Sequence, residues 1–287
     1  TAYSEESKAG LLKHVVVRDV DGKLLITYVI NGNELPAKAE LIAILSEEFK
    51  NFSLFENINK DNTNVIFGEK FRCVYGPEKI SSSDMGVRYE IGPESFMQVN
   101  DLVRRKIYHD AAEIIPETTV IDAYSGAGLL TAIFANRAQK AIGIEIVKEA
   151  VECADELKRI NGLDGRMENI CAPCEVMLPL VMERERKTGA RCVLVLDPPR
   201  QGVNEKLIEA IKKSRPERII YISCSPQTLS RDLGLLTGTL ERDGQELKKS
   251  ENPEGLYKIE SVRPYDMFAQ TKHVETLVVL SVNKIDC

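Results

Sequence analysis

The chain has 287 residues, with 38 Lys and Arg against 44 Asp and Glu, giving a net charge of −6. That length suffices for one large domain or two ordinary ones, and 43% apolar with 29% charged residues excludes collagen-like and wholly disordered classes. The acidic balance excludes indiscriminate, salt-driven binding to nucleic acid, and no apolar run approaches the roughly 18 residues of a membrane-spanning helix.

In chain order, residues 14–17 and 24–30 read as apolar, β-branched strands around Asp19-Val20-Asp21-Gly22, a hairpin signal. Pro36 then opens a helix in which Leu41, Ile42, Ile44, Leu45 and Phe49 recur at helical spacing. Short strands are expected at 53–58, 65–67, 71–74 and 87–91, with polar turn material at 79–86. Residues 1–92 thus form a small α+β domain, followed by a second domain over 93–287.

From Gln98 helix and strand alternate: helix 102–115, strand 119–122, a Gly-rich turn, a helix from Leu129, strand 141–145 and helix 148–160. A short strand near 166–167, a helix from Glu175, strand 192–196, a helix from Glu205, strand 218–223 and a helix from Thr228 follow. Such alternation predicts an α/β fold, a parallel sheet with helices on both faces. Segments 258–263 and 275–282 lack a helix between them and are expected to close one edge as an antiparallel pair.

The motifs sit at strand ends. Strand 119–122 runs into Tyr124-Ser125-Gly126-Ala127-Gly128, where glycines let the backbone bend sharply and a helix N-terminus offers free N–H groups. The next strand ends in Gly143-Ile144-Glu145, about 20 residues on, where an acid can accept hydrogen bonds from a ribose diol. Thr131 stands where a dinucleotide fingerprint has its third glycine, which favours S-adenosylmethionine over a dinucleotide. Asp197-Pro198-Pro199-Arg200 ends the fourth strand, at the edge where open α/β sheets hold ligands. Ser223-Cys224-Ser225-Pro226 ends the fifth, and the following helix N-terminus is expected to lower the Cys224 thiol pKa. Lys272-His273-Val274-Glu275 brings a carboxylate to the start of the last strand.

Of the seven cysteines, most are expected to be small buried hydrophobes, and an odd number spread over a long chain implies reduced thiols in the cytoplasm. Cys171-Ala172-Pro173-Cys174 has no second pair at zinc-site spacing, so no metal site is expected. No signal peptide is visible, and with Thr rather than Met first, a processed product or an excised fragment is the expectation. The histidines form no ligand cluster, and the Tyr and Phe residues form no stacking stripe.

With these motifs the chain resembles the RNA uracil-5-methyltransferase family, which makes 5-methyluridine in transfer and large-subunit ribosomal RNA. The matching residues are 95–100 (SFMQVN), 122–128, 143–145, 197–202, 223–233 (SCSPQTLSRDL) and 266–275 (DMFAQTKHVE). Asn57-Ile58-Asn59 and Thr63-Asn64-Val65-Ile66 extend the likeness upstream. The resemblance implies a Rossmann-like methyltransferase sheet with an antiparallel last strand, and a smaller first domain that faces RNA. It implies S-adenosylmethionine contacts at Gln98, Tyr124, Gly126, Gly128, Glu145, Asn169 and Asp197, a nucleophile at Cys224 and a base at Glu275. Arg200 and Asp266 are the implied uracil-positioning residues. Many members also carry an N-terminal β-barrel of the TRAM type, and some a four-Cys iron–sulfur site. No Cys-x5-Cys-x2-Cys run occurs here, so no cluster is expected in this chain. Ser225 stands where many members have Asn. The expected partner is structured RNA, with no membrane and no obligate protein partner. A cytosine-5 RNA methyltransferase and a non-catalytic RNA-binding relative are the alternatives.

Overall fold

Strand β1 (Leu12–Val20) folds back on β2 (Lys23–Ile30) through Asp21 and Gly22, both at positive φ (52° and 77°), the two-residue turn that matches the twist of a hairpin. A computed structural model describes residues 1–95, 98, 100–243, 246–251 and 255–283, so Phe96, Met97 and Val99 of the 95–100 motif lie outside the described residues. The chain divides into two units, Thr1–Ser83 with Arg88–Met97, and Asp84–Val87 with Gln98–Cys287.

In the first unit, helix α1 (Lys38–Glu48) connects β2 to a parallel neighbour, β3 (Phe52–Ile58), and β4 (Lys70–Tyr75) runs antiparallel beside it. The sheet order is β1-β2-β3-β4. Leu41, Ile42 and Leu45 of α1 cover Ile26, Phe52 and Leu54, the small core of this unit. Glu56 is fully buried and satisfied by the Leu35 N–H (2.8 Å), Arg72 (2.8 Å) and Lys38 (3.3 Å).

Two expectations fail here. Residues 65–67 form no strand, because the side chain of Asn59 takes the carbonyls of Val65 and Ile66 that a ladder would otherwise use. Residues 79–86 are not simply a turn: Ile80–Asp84 is strand β5, paired with β6 (Val87–Ile91). Its buried positions Ile80, Ser82 and Asp84 alternate with exposed ones. The inward polar groups are tolerated because Ser82 reaches Tyr89 at 3.1 Å and Asp84 pairs with Arg104 at 2.9 Å.

The second unit is a seven-stranded sheet. Its strands are β7 (Thr119–Ala123), β8 (Lys140–Glu145), β9 (Met167–Cys171), β10 (Cys192–Leu196), β11 (Arg218–Ser223), β14 (Tyr257–Tyr265) and β15 (Glu275–Val282), in the order β14-β15-β11-β10-β7-β8-β9. β7 to β11 are mutually parallel, and the strand order reverses between β7 and β10. β15 is antiparallel to both neighbours, so β14, at the edge, runs with the parallel strands. The expected antiparallel closing pair is present. A further hairpin, β12 (Leu240–Asp243) with β13 (Glu246–Lys249), was not legible, since its strands are short and polar. β9 is longer than the two residues expected.

Among the described residues six helices accompany the sheet: α2 (Asp101–Glu113), α3 (Leu129–Ala135), α4 (Lys148–Ile160), α5 (Cys174–Lys187), α6 (Glu205–Ser214) and α7 (Pro226–Leu236). α2, α3 and α4 pack in sequence, as do α5, α6 and α7, the two-layer cover that right-handed crossovers on a switched strand order produce. Alternate strand residues Ile121, Ile142, Leu194, Ile219 and Val278 join Leu178, Leu207 and Leu236 of the α5–α7 layer in one cluster. Each such fully buried aliphatic side chain contributes about 1.5–3 kcal/mol. Ser225 caps α7 by accepting from the Thr228 N–H, with Pro226 in the first turn, so this helix begins two residues earlier than expected.

Candidate active site

The ladder registers align the strand ends. Ala123 pairs with Ile144 and with Leu196, and Leu196 pairs with Tyr221. Ser223 pairs with Thr276, and one further step sets Cys224 level with Glu275. Because β15 runs backwards, its first residue reaches the edge that the parallel strands reach with their last. Strand side chains alternate faces with a period of two. Asp122, Gly143 and Asn169 are in register across β7, β8 and β9. Glu145, Asp197, Cys224 and Glu275 fall on the same face, that of the α2–α4 layer. Adjacent strands are about 4.8 Å apart, so Cys224 stands between Asp197 on β10's exit and Glu275 on β15.

The turn after β7 is built by unusual backbone. Tyr124, Gly126 and Gly128 have φ of 66°, 52° and 83°. A left-handed tyrosine costs about 1–3 kcal/mol and persists where its surroundings fix it. Here the reversal sends its ring to the opposite side, against the cluster containing Cys174 and Leu178. A Cβ on Gly126 would meet nothing within 4 Å, so the space over it is open, whereas one on Gly128 would strike Ala154 of α4 at 2.7 Å. Gly128 is thus required by helix packing and Gly126 offers approach to a ligand.

Glu145 is held by three backbone donors: Ile146 N (2.8 Å) and Val147 N (2.9 Å) on Oε1, and Gly126 N (3.0 Å) on Oε2. A carboxylate has about four acceptor positions, which leaves one on Oε2. Asn169 donates to Asp155 at 2.9 Å, while its Oδ1 is buried with no hydrogen-bond partner among the described residues. An orphaned buried acceptor, open space over Gly126 and a row of carboxylates fit a cationic nucleoside with donor groups. These residues therefore suit S-adenosylmethionine.

Burial dominates the electrostatics. It pushes the carboxyl of Asp197 up to about 7. Glu275 is also raised to about 7, by burial and then by the charge of Asp197. Asp122 reaches about 7 through burial, although Thr131 donates to it at 2.5 Å. The Cys224 thiol is raised as well, first by burial and then by Glu275, with the Arg200 guanidinium pulling it down. The expected lowering by the helix N-terminus is therefore overturned, because burial and a facing carboxylate outweigh it. The other cysteines also depart from expectation. Cys174 and Cys192 are buried, but Cys73, Cys153 and Cys171 are exposed, and Cys287 lies outside the described residues.

The Asp197–Gly202 loop is tied to α7. Asp232, fully buried, accepts from Val203 N (3.0 Å), Tyr221 Oη (2.7 Å) and Arg231 Nε (2.7 Å). Arg231 also donates to the carbonyls of Gln201 (3.0 Å) and Val203 (3.1 Å), and Thr228 to that of Arg200 (3.1 Å). Gly202 (φ 74°) fits because any Cβ would run into the Asp232 and Arg231 side chains.

Other sequence-selected residues are less closely gathered. Gln98 is half-buried and stands two residues ahead of Asn100, which caps α2 by accepting from Val103 N at 3.2 Å. Arg200 is exposed on its loop. Asp266 is exposed one residue past β14, so it and Asn169 belong to the two opposite edge strands of the sheet.

Two groups on α2 escaped the motif reading. Burial raises the Tyr108 hydroxyl, as do the charges of Asp197, Asp122 and Glu275, against Arg104, which lies 5.1 Å from its ring and lowers it. Asp110 accepts from Tyr265 and Arg263 at 2.7 Å each and from Lys106 at 2.5 Å. Tyr265 is the cross-strand partner of Glu275. The available signal was a buried acid on the apolar face of a helix, which carries no motif.

Comparisons with known proteins give the family of the chain. An uncharacterized RNA methyltransferase of Listeria innocua is 35% identical over 286 residues, covering 98% of this chain and 58% of the relative. One from Clostridium tetani is 35% identical over 285 residues, covering 97% and 58%. The chain thus spans under two thirds of the length of these curated relatives. In fold it is similar to the Pyrococcus abyssi tRNA (uracil-54, C5)-methyltransferase, solved with S-adenosyl-L-homocysteine. That likeness has a TM-score of 0.72 at 24% identity, over 96% of this chain and 61% of the other. A profile of the tRNA (uracil-5-)-methyltransferases matches residues 70–283, and the chain belongs to that family.

Proposed function

We propose that this protein transfers a methyl group from S-adenosylmethionine to carbon 5 of a uridine in structured RNA, of the transfer or large-subunit ribosomal kind. The observation that carries the reading is a thiol and a carboxylate level with each other at the ligand edge, Cys224 one residue past β11 and Glu275 at the start of β15, with Asp197 beside them. Glu145, Asn169, Gly126 and Asp197 would hold the cofactor, with Gln98 and Tyr124 as further contacts. The small α+β domain over residues 1–92 would be the RNA-facing part, and residues 93–287 the catalytic domain.

Carbon 5 of uracil is too weak a nucleophile to take a methyl group unaided. Cys224 thiolate adds to carbon 6, and the electron pair of the 5,6 double bond moves onto the ring as an enolate, which makes carbon 5 nucleophilic. Bound S-adenosylmethionine supplies the electrophilic methyl group, carried on a sulfonium. Glu275 removes the carbon-5 proton, the carbon 6–sulfur bond breaks, and the double bond re-forms with Cys224 released as thiolate. Arg200 favours the thiolate and, with Asp266, positions the uracil. Holding the groups together contributes up to about 7–11 kcal/mol, and the base must leave its stack to enter the pocket.

The test uses radiolabelled methyl donor with RNA from cells lacking the gene. Cys224→Ala is expected to lose methyl transfer while still binding S-adenosylhomocysteine, and Glu275→Gln to accumulate a denaturation-resistant protein–RNA adduct. Full activity of Cys224→Ala would overturn the mechanism. Product carrying 5-methylcytidine instead of 5-methyluridine would move the substrate to cytosine.

A further inference from the structure

The first unit carries a loop whose backbone is held by two buried asparagines. Asn57 and Asn59 are both buried. Asn57 donates to the carbonyls of Gly68 (2.8 Å) and Lys70 (3.2 Å) and accepts from Gly68 N (2.8 Å). Asn59 donates to the carbonyls of Val65 (2.8 Å) and Ile66 (2.9 Å) and accepts from Asp61 N (3.1 Å). Gly68 approaches the Ile58 carbonyl so closely that no side chain fits. The result is a clamped loop over residues 60–68 that turns two consecutive β-branched side chains outward, Val65 at 64% and Ile66 at 47% exposure. Single exposed apolar residues are ordinary, but a pair whose backbone is fixed by buried amides is held out by design of the loop.

Its surroundings are cationic and aromatic. Phe67 packs on Phe71 with ring centroids 5.2 Å apart, and the Arg18 guanidinium lies 5.8 Å from the Phe67 centroid. Arg18 also donates to the carbonyl of Ser95. Lys13 donates to the carbonyl of Asp61 (2.6 Å) and Lys60 to Asn33 Oδ1 (2.6 Å). These three cations bond neutral oxygens, and among the described residues none forms a salt bridge. In a chain of net charge −6, this gathers three cations outside any salt bridge around an apolar tip. Aliphatic wedges flanked by Arg and Lys are how proteins part stacked bases while holding phosphates.

We propose that the 60–68 loop is an RNA wedge, with Val65 and Ile66 packing against unstacked nucleotides and Lys13, Arg18 and Lys60 meeting neighbouring phosphates. The proposal rests on the reading of the protein as an RNA methyltransferase and names the element that engages the RNA.

The test compares the full chain with Val65→Ser/Ile66→Ser and with Lys13→Ala/Arg18→Gln/Lys60→Ala, using RNA from cells lacking the gene. The serine variant is expected to raise KM for RNA tenfold or more, with kcat within twofold and S-adenosylhomocysteine affinity and Tm unchanged. The cation variant is expected to flatten the log–log salt dependence of RNA binding by about 0.7 for each phosphate that is no longer neutralised. An unchanged KM and unchanged RNA binding in the serine variant would overturn the wedge. So would a wild-type dimer that this variant dissociates, which would assign the loop to a second copy of the chain. If the wild type transfers no methyl group to RNA, the enzymatic reading fails, and the filter-binding comparison of the same variants still decides the wedge.

Discussion

The buried carboxylate of Asp232 accepts the N–H of Val203 at 3.0 Å and thereby fixes the loop that carries Asp197 and Arg200 to the helix that starts beside Cys224. The proposed cofactor acid and the proposed nucleophile thus share one anchor. Gly202→Ala would push a Cβ into that anchor at a positive φ, at a cost of about 1–3 kcal/mol. At roughly 2–4 °C per kcal/mol for a domain of this size, differential scanning should read a Tm lower by several degrees. Asp232→Asn swaps an acceptor for a donor in front of two donors and should cost about as much. Methyl transfer should fall by more than the unfolded fraction explains. Equal activity per folded molecule would show that the anchor is irrelevant to catalysis.

The thiol of Cys224 is raised first by burial and then by the facing Glu275, and is lowered by Arg200. Glu275→Gln removes a charge that is present above about pH 7, so the pH profile of Cys224 alkylation by iodoacetamide should move to lower pH. Arg200→Gln should move it to higher pH. Superimposable profiles for all three proteins would mean that neither side chain senses the sulfur.

Asp197 and Glu275 titrate near 7 when folded against about 4 in an unfolded chain. The folded state therefore holds more protons between these values, so stability of the free protein should decline as pH rises from about 4 to about 7. A cationic ligand favours the ionised form. Calorimetric affinity for S-adenosylmethionine should increase from pH 6 to pH 8, with the increase much reduced in Asp197→Asn. An affinity independent of pH in the unaltered protein would argue that these carboxylates do not meet the sulfonium side of the ligand.

Asp110 behaves in the opposite sense. Burial opposes its charge, but Lys106, Tyr265 and Arg263 outweigh that and hold its carboxyl below the ordinary range. Its contribution is present above the unfolded value near 4 and is lost as pH falls through the lower folded one. Acid unfolding followed by circular dichroism should be less steep below pH 4 in Asp110→Asn, and the variant should be the less stable protein at pH 7. Identical acid limbs would remove Asp110 from this role.

Much of this was legible in the residues. The alternation of the second unit survived because every parallel strand but β9 is a short, largely apolar run bounded by a helix with its own period, as in Cys192–Leu196 or Lys148–Ile160. Glu275, Cys224 and Asp197 could be placed at one edge because each follows or starts such a run. Legibility stopped where polar residues build structure through long-range partners. Ser82 and Asp84 look like turn residues until Tyr89 and Arg104 are beside them. Asn59 replaces a strand by a side-chain clamp. The Phe67–Phe71 pair under Arg18 is no sequence stripe, because β1 and the loop meet only in the folded sheet. The thiol of Cys224 departs from its expected behaviour for the same reason, since local helix geometry says nothing of the carboxylate that arrives some fifty residues later.

β15 lies between two partners, β11 and β14, and its inner residues Leu277 to Leu280 are buried. Glu275 is therefore borne by a strand that can open only when ladders on both sides break together, among the last backbone segments to exchange its amide hydrogens. The proposed nucleophile has no such protection, because Cys224 has already left its strand for a loop. Thermal motion at this site should thus be unequal, smaller at the Glu275 backbone than at that of Cys224.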